Sequence, residues 1–157
     1  MGTIASQYDV AISTACGALN NIVVDTTSNA EKCVQYLREN KLGTATFLIM
    51  EQLKNIQNDM SREFKAPSSS QRLFDLVKPK EDTFRIAFYY ALRNTLVADN
   101  IDVASKIAYS SETRYRVVTL GGELIDVSGT MSGGGAQKQS GGMKVMGNFV
   151  EISERFK

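Results

Sequence analysis

The feature that most constrains the fold of this chain is a glycine-rich run near its carboxyl end. Two segments rich in β-branched residues, 117–120 and 123–127, flank a Gly-Gly pair at 121–122. Both residues of such a pair can adopt positive φ, which predicts the tight turn of a β-hairpin. The second segment continues into Gly129 and the triplet at 133–135. A strand edge without side chains lets another backbone approach closely, so the run favours docking over catalysis.

The composition is ordinary for a globular domain and excludes several classes of protein. With 157 residues, the chain can form one domain or two small lobes with a sizeable core. It has no apolar run of membrane-spanning length and no secretory signal pattern. Cys16 and Cys33 are too few for a disulfide framework and are expected to be buried thiols in a reducing compartment. A formal net charge of +1 means that DNA would have to bind a local patch.

Candidate catalytic groups are scarce. The chain has no His, which removes the usual general base and metal ligand and counts against most hydrolytic enzymes. Gly129 and Gly134 have the spacing of the outer glycines of a phosphate-binding loop. However, Gly135 and Ala136 stand where that loop requires Lys and Ser or Thr. We therefore expect no catalytic residue, no cofactor and no metal site.

An internal repeat is visible when the sequence is shifted by 74 positions. The shift superimposes identical residues: Ile12 on Ile86, Asn20 on Asn94, Asp25 on Asp99, Ala30 on Ala104 and Lys32 on Lys106. Each copy has the pattern helix, strand, helix, strand. The strands are predicted at 22–24 and 44–49 in the first copy and at 95–98 and 116–120 in the second. The sequence thus predicts an α/β (α+β) fold of two related lobes.

The boundary between the lobes is predicted at the break Ala-Pro-Ser-Ser-Ser, residues 66–70. Lobe one is then residues 1–65. Lobe two is residues 66–135 and includes the glycine-rich hairpin. Residues 136–157 are predicted to be an exit segment, at first rich in Gly, Ser, Lys and Gln and then polar and charged.

The second helix of the first copy is predicted from its ends and its apolar face. Ser28 and Glu31 have the spacing of a capping box, and Gly43 is expected to end the helix. One face carries the apolar residues expected to be buried: Ala30, Cys33, Val34 and Leu37.

Asp25 and Asp99 each follow a predicted strand, at equivalent positions of the repeat. A carboxylate there could bind a metal ion, but helix capping and turn formation explain both residues more simply. In the second copy, Asp99 or Asn100 is predicted to cap a short helix around residues 101–109.

Three separated segments resemble the hinge domain of structural maintenance of chromosomes (SMC) proteins. The run at 116–135 resembles the end of that domain, where a V-V-T-L-x-G hairpin leads into S-G-[ST]-M-[ST]-G-G. Residues 8–17 with 21–25, and residues 72–80 with 94–99, match in the same order. The resemblance extends over residues 4–135 and is closest to the fourth SMC type, a condensin subunit.

The resemblance implies a dimerisation role. It implies pairing with the hinge of the second condensin SMC type, in a small ring between two antiparallel coiled-coil arms, so the chain would be a piece of a longer protein. In SMC hinges the matching glycines line this contact, and Ser128 stands where many relatives have another Gly. The first lobe should offer a complementary strand edge after its second helix. The implied interface residues are Gly129, Thr130, Met131, Gly133, Gly134 and Gly135, with Gly43, Thr44 and Thr46 as candidates in the first lobe.

A weaker signal concerns DNA. Arg114 and Arg116 flank Tyr115, which interleaves phosphate-binding cations with an aromatic ring on which a base could stack. A solvated strand face would look the same. Lys138 and Lys144 lie in the exit segment, and the resemblance implies DNA binding near the coiled-coil junction.

The function that the resemblance implies is mechanical. The domain would close one end of a long SMC dimer for chromosome condensation and segregation, on nuclear chromosomes with a cytoplasmic pool and without contact to a membrane. ATP hydrolysis would belong to head domains elsewhere in the parent protein. The alternatives are the hinge of a cohesin-type or other SMC protein and a stand-alone DNA-binding module. An enzyme would need convergent polar groups in a cleft, which the sequence does not supply.

Overall fold

A computed structural model describes residues 2–110 and 112–134 of the chain. Its strands are β1 Gly2–Thr3, β2 Ile22–Val24, β3 Phe47–Ile49, β4 Gln71–Arg72, β5 Lys78–Pro79, β6 Leu96–Ala98, β7 Val117–Thr119, β8 Leu124–Ile125 and β9 Met131–Ser132. Its α-helices are α1 Asp9–Ala15, α2 Thr27–Glu39, α3 Gln57–Ser61, α4 Leu73–Leu76, α5 Arg85–Leu92 and α6 Ile101–Ser110. Short 3-10 segments lie at Ser6–Tyr8, Gly17–Asn20, Met50–Ile56 and Asp82–Phe84.

The predicted repeat is confirmed by the order and pairing of these elements. The first copy is α1, β2, α2 and β3, and the second is α5, β6, α6 and β7. In each copy the two strands are parallel neighbours: Ile22 lies opposite Phe47, and Leu96 lies opposite Val117. The two copies therefore share one design, in which a helix connects two parallel strands.

The sheet of the second copy is larger than that of the first. It has the strand order β4-β6-β7-β8-β9, whereas β2 and β3 form a sheet of two strands. The predicted hairpin is confirmed, since β7 and β8 are antiparallel and Gly122 has a φ of +95° at the turn between them. Beyond β8 the chain turns back and adds β9 at the edge of the sheet.

The largest apolar cluster lies between the inner faces of the two parallel strand pairs. Val23 and Leu48 contribute to it from the first copy, and Val97 and Val118 contribute from the second. Side chains alternate along a strand, so the neighbouring residues point to the opposite face of each pair. Helices α1 and α5 also bury apolar residues in this cluster. The cluster therefore joins the two copies through one shared core.

A separate helix covers the outer face of each strand pair. Ala30 and Cys33 of α2 pack with Val24, and Ala104 and Ile107 of α6 pack in a cluster that includes Leu96. The apolar side chains of both helices recur at the three- to four-residue spacing of an amphipathic helix. No helix within residues 2–110 and 112–134 is long and apolar enough to cross a membrane.

The predicted ends of α2 are wrong by a few residues. The N-cap is Thr26, whose Oγ1 accepts a hydrogen bond from the Asn29 backbone N–H at 3.2 Å, so Ser28 already lies inside the helix. The helix ends at Glu39, before Gly43, because Lys41 adopts a left-handed φ of 52°.

The strand β3 begins at Phe47, three residues later than predicted. Its parallel partner β2 is itself only three residues long, so residues 44–46 have little strand to pair with. In this stretch the Ile22 N–H donates a hydrogen bond to the Thr46 carbonyl at 2.9 Å.

Candidate docking edges

Among residues 2–110 and 112–134, no strand pairs with the outer side of β9. We call this edge the glycine edge and define it as residues 129–134. The Asp126 N–H donates to the Thr130 carbonyl at 2.9 Å. In an antiparallel ladder, alternate residues turn their N–H and C=O groups toward the partner strand. The Thr130 carbonyl faces β8, and the register continues with Ser132 opposite Leu124, so the backbone groups of Met131 and Gly133 turn outward. Residues 130–134 are exposed to solvent.

The glycines of this edge are required for different structural reasons. Gly129 and Gly134 adopt φ values of +95° and +83°, a region that other residues enter only with strain. Gly133 has no positive φ in this structure, but a Cβ atom there would lie 2.9 Å from Cγ of Glu123. Gly133 is therefore needed for packing within the chain as well as being free to face a partner. Gly135 lies outside the described residues.

Apolar side chains flank the glycine edge. Val127 and Met131 are 52% and 51% exposed, which places them among the most exposed large apolar residues of the described chain. Beside them, the Tyr109 hydroxyl donates a hydrogen bond to the Gly129 carbonyl at 2.9 Å. The edge thus combines unpaired backbone groups with exposed apolar surface, as expected of a strand that receives another strand.

A second open edge lies in the first copy, along β3. The Ile22 N–H bonds to Thr46, so the parallel register turns the backbone groups of Phe47 and Ile49 away from β2. In residues 2–110 and 112–134, no third strand pairs with this sheet. Gly43, Thr44 and Thr46, the first-lobe residues of the implied interface, are exposed at the start of this edge.

A groove of about 750 Å³ runs between this strand and α2. Its walls are formed by Thr27, Ala30, Glu31, Val34, Gln35, Arg38, Glu39, Ala45, Thr46, Phe47 and Ile49. The sequence pattern placed Val34 on the buried face of the helix, but its side chain is 43% exposed in the groove. The signal that could have found it is the adjacent pair Cys33-Val34, which makes the apolar face wider than a two-stranded sheet can cover.

The two predicted parts of the interface lie on different sheets. The glycine edge belongs to the five-stranded sheet, and the residues after α2 lead into β3 of the two-stranded sheet. A chain with two separate edges can pair with a related chain at two places. At each place, the edge of one kind on this chain would meet the edge of the other kind on the partner.

The basic residues suggested for DNA binding are placed differently from one another. Arg116 donates from Nη1 to the Ala15 carbonyl at 2.7 Å, at the end of α1, and lies 3.3 Å from Oγ1 of Thr95. The Tyr115 ring lies edge-on to another aromatic ring, that of Phe64, at 6.4 Å between centroids. Arg114 is exposed. Lys138 and Lys144 lie outside the described residues.

The two cysteine thiols are buried, and the Asp25 carboxylate is hydrogen-bonded to its neighbours. Burial raises the pKa of the Cys16 thiol to about 11 and also raises the pKa of Cys33. Oδ1 of Asp25 accepts hydrogen bonds from the Thr26 N–H and from the Asn29 side chain at 2.9 and 2.7 Å. These bonds support the predicted turn role of Asp25. Within residues 2–110 and 112–134, no group of three or more potential metal-ligating side chains lies together.

The second-copy helix α6 is capped as predicted. Oδ1 of Asn100 accepts a hydrogen bond from the Val103 N–H at 3.0 Å, so Asn100 supplies the cap between the two candidates.

The comparisons with known proteins agree on one family. The family described as "SMC proteins Flexible Hinge Domain" matches residues 1–108. "Structural maintenance of chromosomes protein 4" of Schizosaccharomyces pombe is 52% identical over 143 residues, and the human protein of the same name is 47% identical over 154 residues. These matches cover 91% and 98% of this chain but only 10% and 12% of the relatives. The chain thus spans about a tenth of the curated relatives it matches.

A solved structure gives the same result for the fold. The chain aligns with the structure titled "Crystal structure of an asymmetric dimer of the Geobacillus stearothermophilus SMC hinge domain" at a TM-score of 0.70 and 26% identity. The alignment covers 99% of this chain and 65% of that one. Since the family match includes more than half of the chain and the fold agrees, this chain belongs to the SMC hinge domain family.

Proposed function

We propose that this domain pairs with the hinge of the second condensin SMC type and so joins two SMC subunits at one end. The observation that carries the proposal is the presence of two open strand edges in one chain, the glycine edge on β9 and the edge of β3. Unpaired strand edges with exposed apolar flanks are sites of strand addition. Two different edges on each partner allow two contacts related by an approximate two-fold axis.

Each contact would combine backbone hydrogen bonds with burial of apolar side chains. The outward N–H and C=O groups of Met131 and Gly133 would pair with the edge of a partner strand. Met131 and Val127 would bury apolar surface beside it. At the second contact, the partner's glycine edge would lie along Phe47 and Ile49 and fill the groove beside α2. Backbone pairing supplies register, and the apolar side chains supply most of the affinity.

The experiment mixes this domain with hinge domains of the second and other SMC types and measures mass by light scattering. We expect a one-to-one complex with the second-type hinge. A matched pair of variants then separates backbone pairing from side-chain packing. Met131→Pro removes an outward N–H without breaking a bond to β8, whereas Met131→Ala keeps that N–H and removes the side chain.

Met131→Pro is expected to abolish the complex, and Met131→Ala to weaken it. Circular dichroism and melting should stay near those of the unchanged domain in both cases. A full-strength complex with Met131→Pro would show that the glycine edge is not the pairing strand. A substitution at Gly133 would be a less specific test, because a Cβ there would lie 2.9 Å from Cγ of Glu123 within the chain.

The proposal includes weak, sequence-independent DNA binding as an auxiliary function on nuclear chromosomes. The exposed Arg114 supports it; since the net charge is only +1, binding would depend on a local basic patch. A few phosphate contacts would each contribute about −0.9 to the slope of log affinity against log salt on duplex DNA. Binding that survives high salt with preference for one sequence would contradict this part of the proposal.

A further inference from the structure

The turn that leads into the glycine edge is attached to a helix of the same lobe. The Tyr109 hydroxyl, near the end of α6, donates to the Gly129 carbonyl at 2.9 Å across 20 positions of sequence. Tyr109 is 43% exposed to solvent. An exposed tyrosine hydroxyl could bond to water instead, so this bond is not needed to satisfy a buried polar group. Its effect is to fix the position of the turn.

Arg114 completes the attachment. Its guanidinium carbon lies 5.6 Å from the centre of the Tyr109 ring, within the range of a cation–π contact. Its Nη1 also lies 3.8 Å from the place that a Cβ of Gly129 would occupy. The cation thus stands beside both the ring and the turn, and it restricts the directions in which the ring can swing away.

The turn itself determines where the edge strand begins. The Gly129 N–H donates to the Asp126 carbonyl at 2.9 Å, and the Asp126 N–H donates to Thr130 at 2.9 Å. The strand β9 that follows has only two residues paired with β8. Such a short strand has little pairing of its own to resist fraying. An anchor at its first turn therefore has a large influence on its order.

We propose that Tyr109, held by Arg114, is a positioning residue that pre-forms the glycine edge for pairing. The proposal rests on the proposed function, because it assigns Tyr109 a part in the same contact. Pre-forming an edge before binding lowers the ordering cost that the complex must otherwise overcome. Tyr109 acts through the Gly129 carbonyl and does not itself have to contact the partner.

The test compares Tyr109→Phe, which removes only the hydroxyl, with Tyr90→Phe on α5. Tyr90 is a control of nearly equal exposure, 42% against 43%. The first readout is hydrogen–deuterium exchange of the free domain at residues 126–132. We expect exchange there to be faster by about two- to twelvefold in Tyr109→Phe, the range for one hydrogen bond. Exchange in β6 and β7 should not change, and Tyr90→Phe should match the parent domain.

The second readout is the dissociation constant with the second-type condensin hinge. We expect Tyr109→Phe to weaken binding by a similar factor and Tyr90→Phe to leave it unchanged. Unaltered exchange at 126–132, or faster exchange with unaltered affinity, would overturn the positioning role alone. If the parent domain does not bind that hinge at all, the proposed function is wrong and the positioning role for pairing falls with it.

Discussion

The two copies of the repeat have the same plan but opposite surroundings. In the second copy, β4 pairs with β6 on one side and β8 pairs with β7 on the other. In the first copy, β2 and β3 pair only with each other among the described residues. The strand β3 is the counterpart of β7, so its open edge is the position that β8 fills in the second copy. Further strands therefore flank the parallel pair of the second copy on both sides, whereas β3 of the first copy has one side without a strand partner among the described residues.

The same contrast is seen at single positions. Leu96 is fully buried, whereas its repeat counterpart Ile22 is half-buried. Ala108 on α6 is 2% exposed, whereas its counterpart Val34 on α2 is 43% exposed. An equivalent helix thus covers a completed sheet in one copy and borders an open groove in the other. The same structural unit thus presents a covered helix where strands flank it and an open groove where, among the described residues, they do not.

The largest effect is expected from truncating the completed sheet. Leu96→Ala should lower the free energy of unfolding by about 2–5 kcal/mol, since it leaves a cavity among fully buried neighbours. Ile22→Ala at the equivalent position should cost less than half as much, because part of its side chain already contacts water. Urea unfolding of both variants measures the difference. Equal costs would show that the two copies do not differ in how deeply they bury this position.

A charge in the groove is expected to affect pairing more than folding. Val34→Lys should weaken the complex with the partner hinge by about tenfold or more, since the ammonium group would lose its water in the contact. Lysine is a good helix former, so the melting temperature should change little. The counterpart Ala108→Lys would place the charge in a core and should prevent folding. Unchanged affinity in Val34→Lys would remove the groove from the interface.

The smallest effect concerns the start of α2. The Thr27 N–H donates to Oε1 of Glu51 at 2.6 Å. Hydrogen bonding to Thr27, first to its side chain and second to its backbone, lowers the pKa of the Glu51 carboxyl. A carboxyl with a lowered folded-state pKa stabilises the fold above its unfolded pKa, and that stability is lost as the pH falls through the folded value.

Glu51→Gln should therefore reduce stability slightly at neutral pH, and the difference from the parent domain should shrink in acid. Glu39→Gln, at the other end of the same helix, is the control. Melting curves from pH 3 to 7 give the comparison. A difference that grows as the pH falls would contradict the assigned role of Glu51.

The sequence predicted the repeat and the hairpin well because both depend on local rules. Alternating β-branched residues and a Gly-Gly turn are sufficient to predict β7 and β8. The ends of α2 were wrong because Thr26 and Ser28 are both good caps, and local sequence does not choose between them. The groove was missed because exposure of Val34 depends on which strands flank β3, and that is a property of tertiary pairing.

The lobe boundaries and interface residues stay predictions. The central cluster contains Val23 and Leu48 of one copy with Val97 and Val118 of the other, so packing alone does not mark where one lobe ends. The glycine edge could be predicted as a docking strand from its residues. The close packing of Gly133 against Glu123 could be recognised only once the fold was known.

The most direct test of the proposed pairing is hydrogen–deuterium exchange of this domain with and without the second-type condensin hinge. We expect amides at Met131 and Gly133 in the glycine edge, and at Phe47 and Ile49 on β3, to become protected together in the complex. The strands β6 and β7 are already paired on both sides and should not change. A complex that protects neither edge, or protects surface elsewhere, would contradict the claim that the two open edges are the hinge interface.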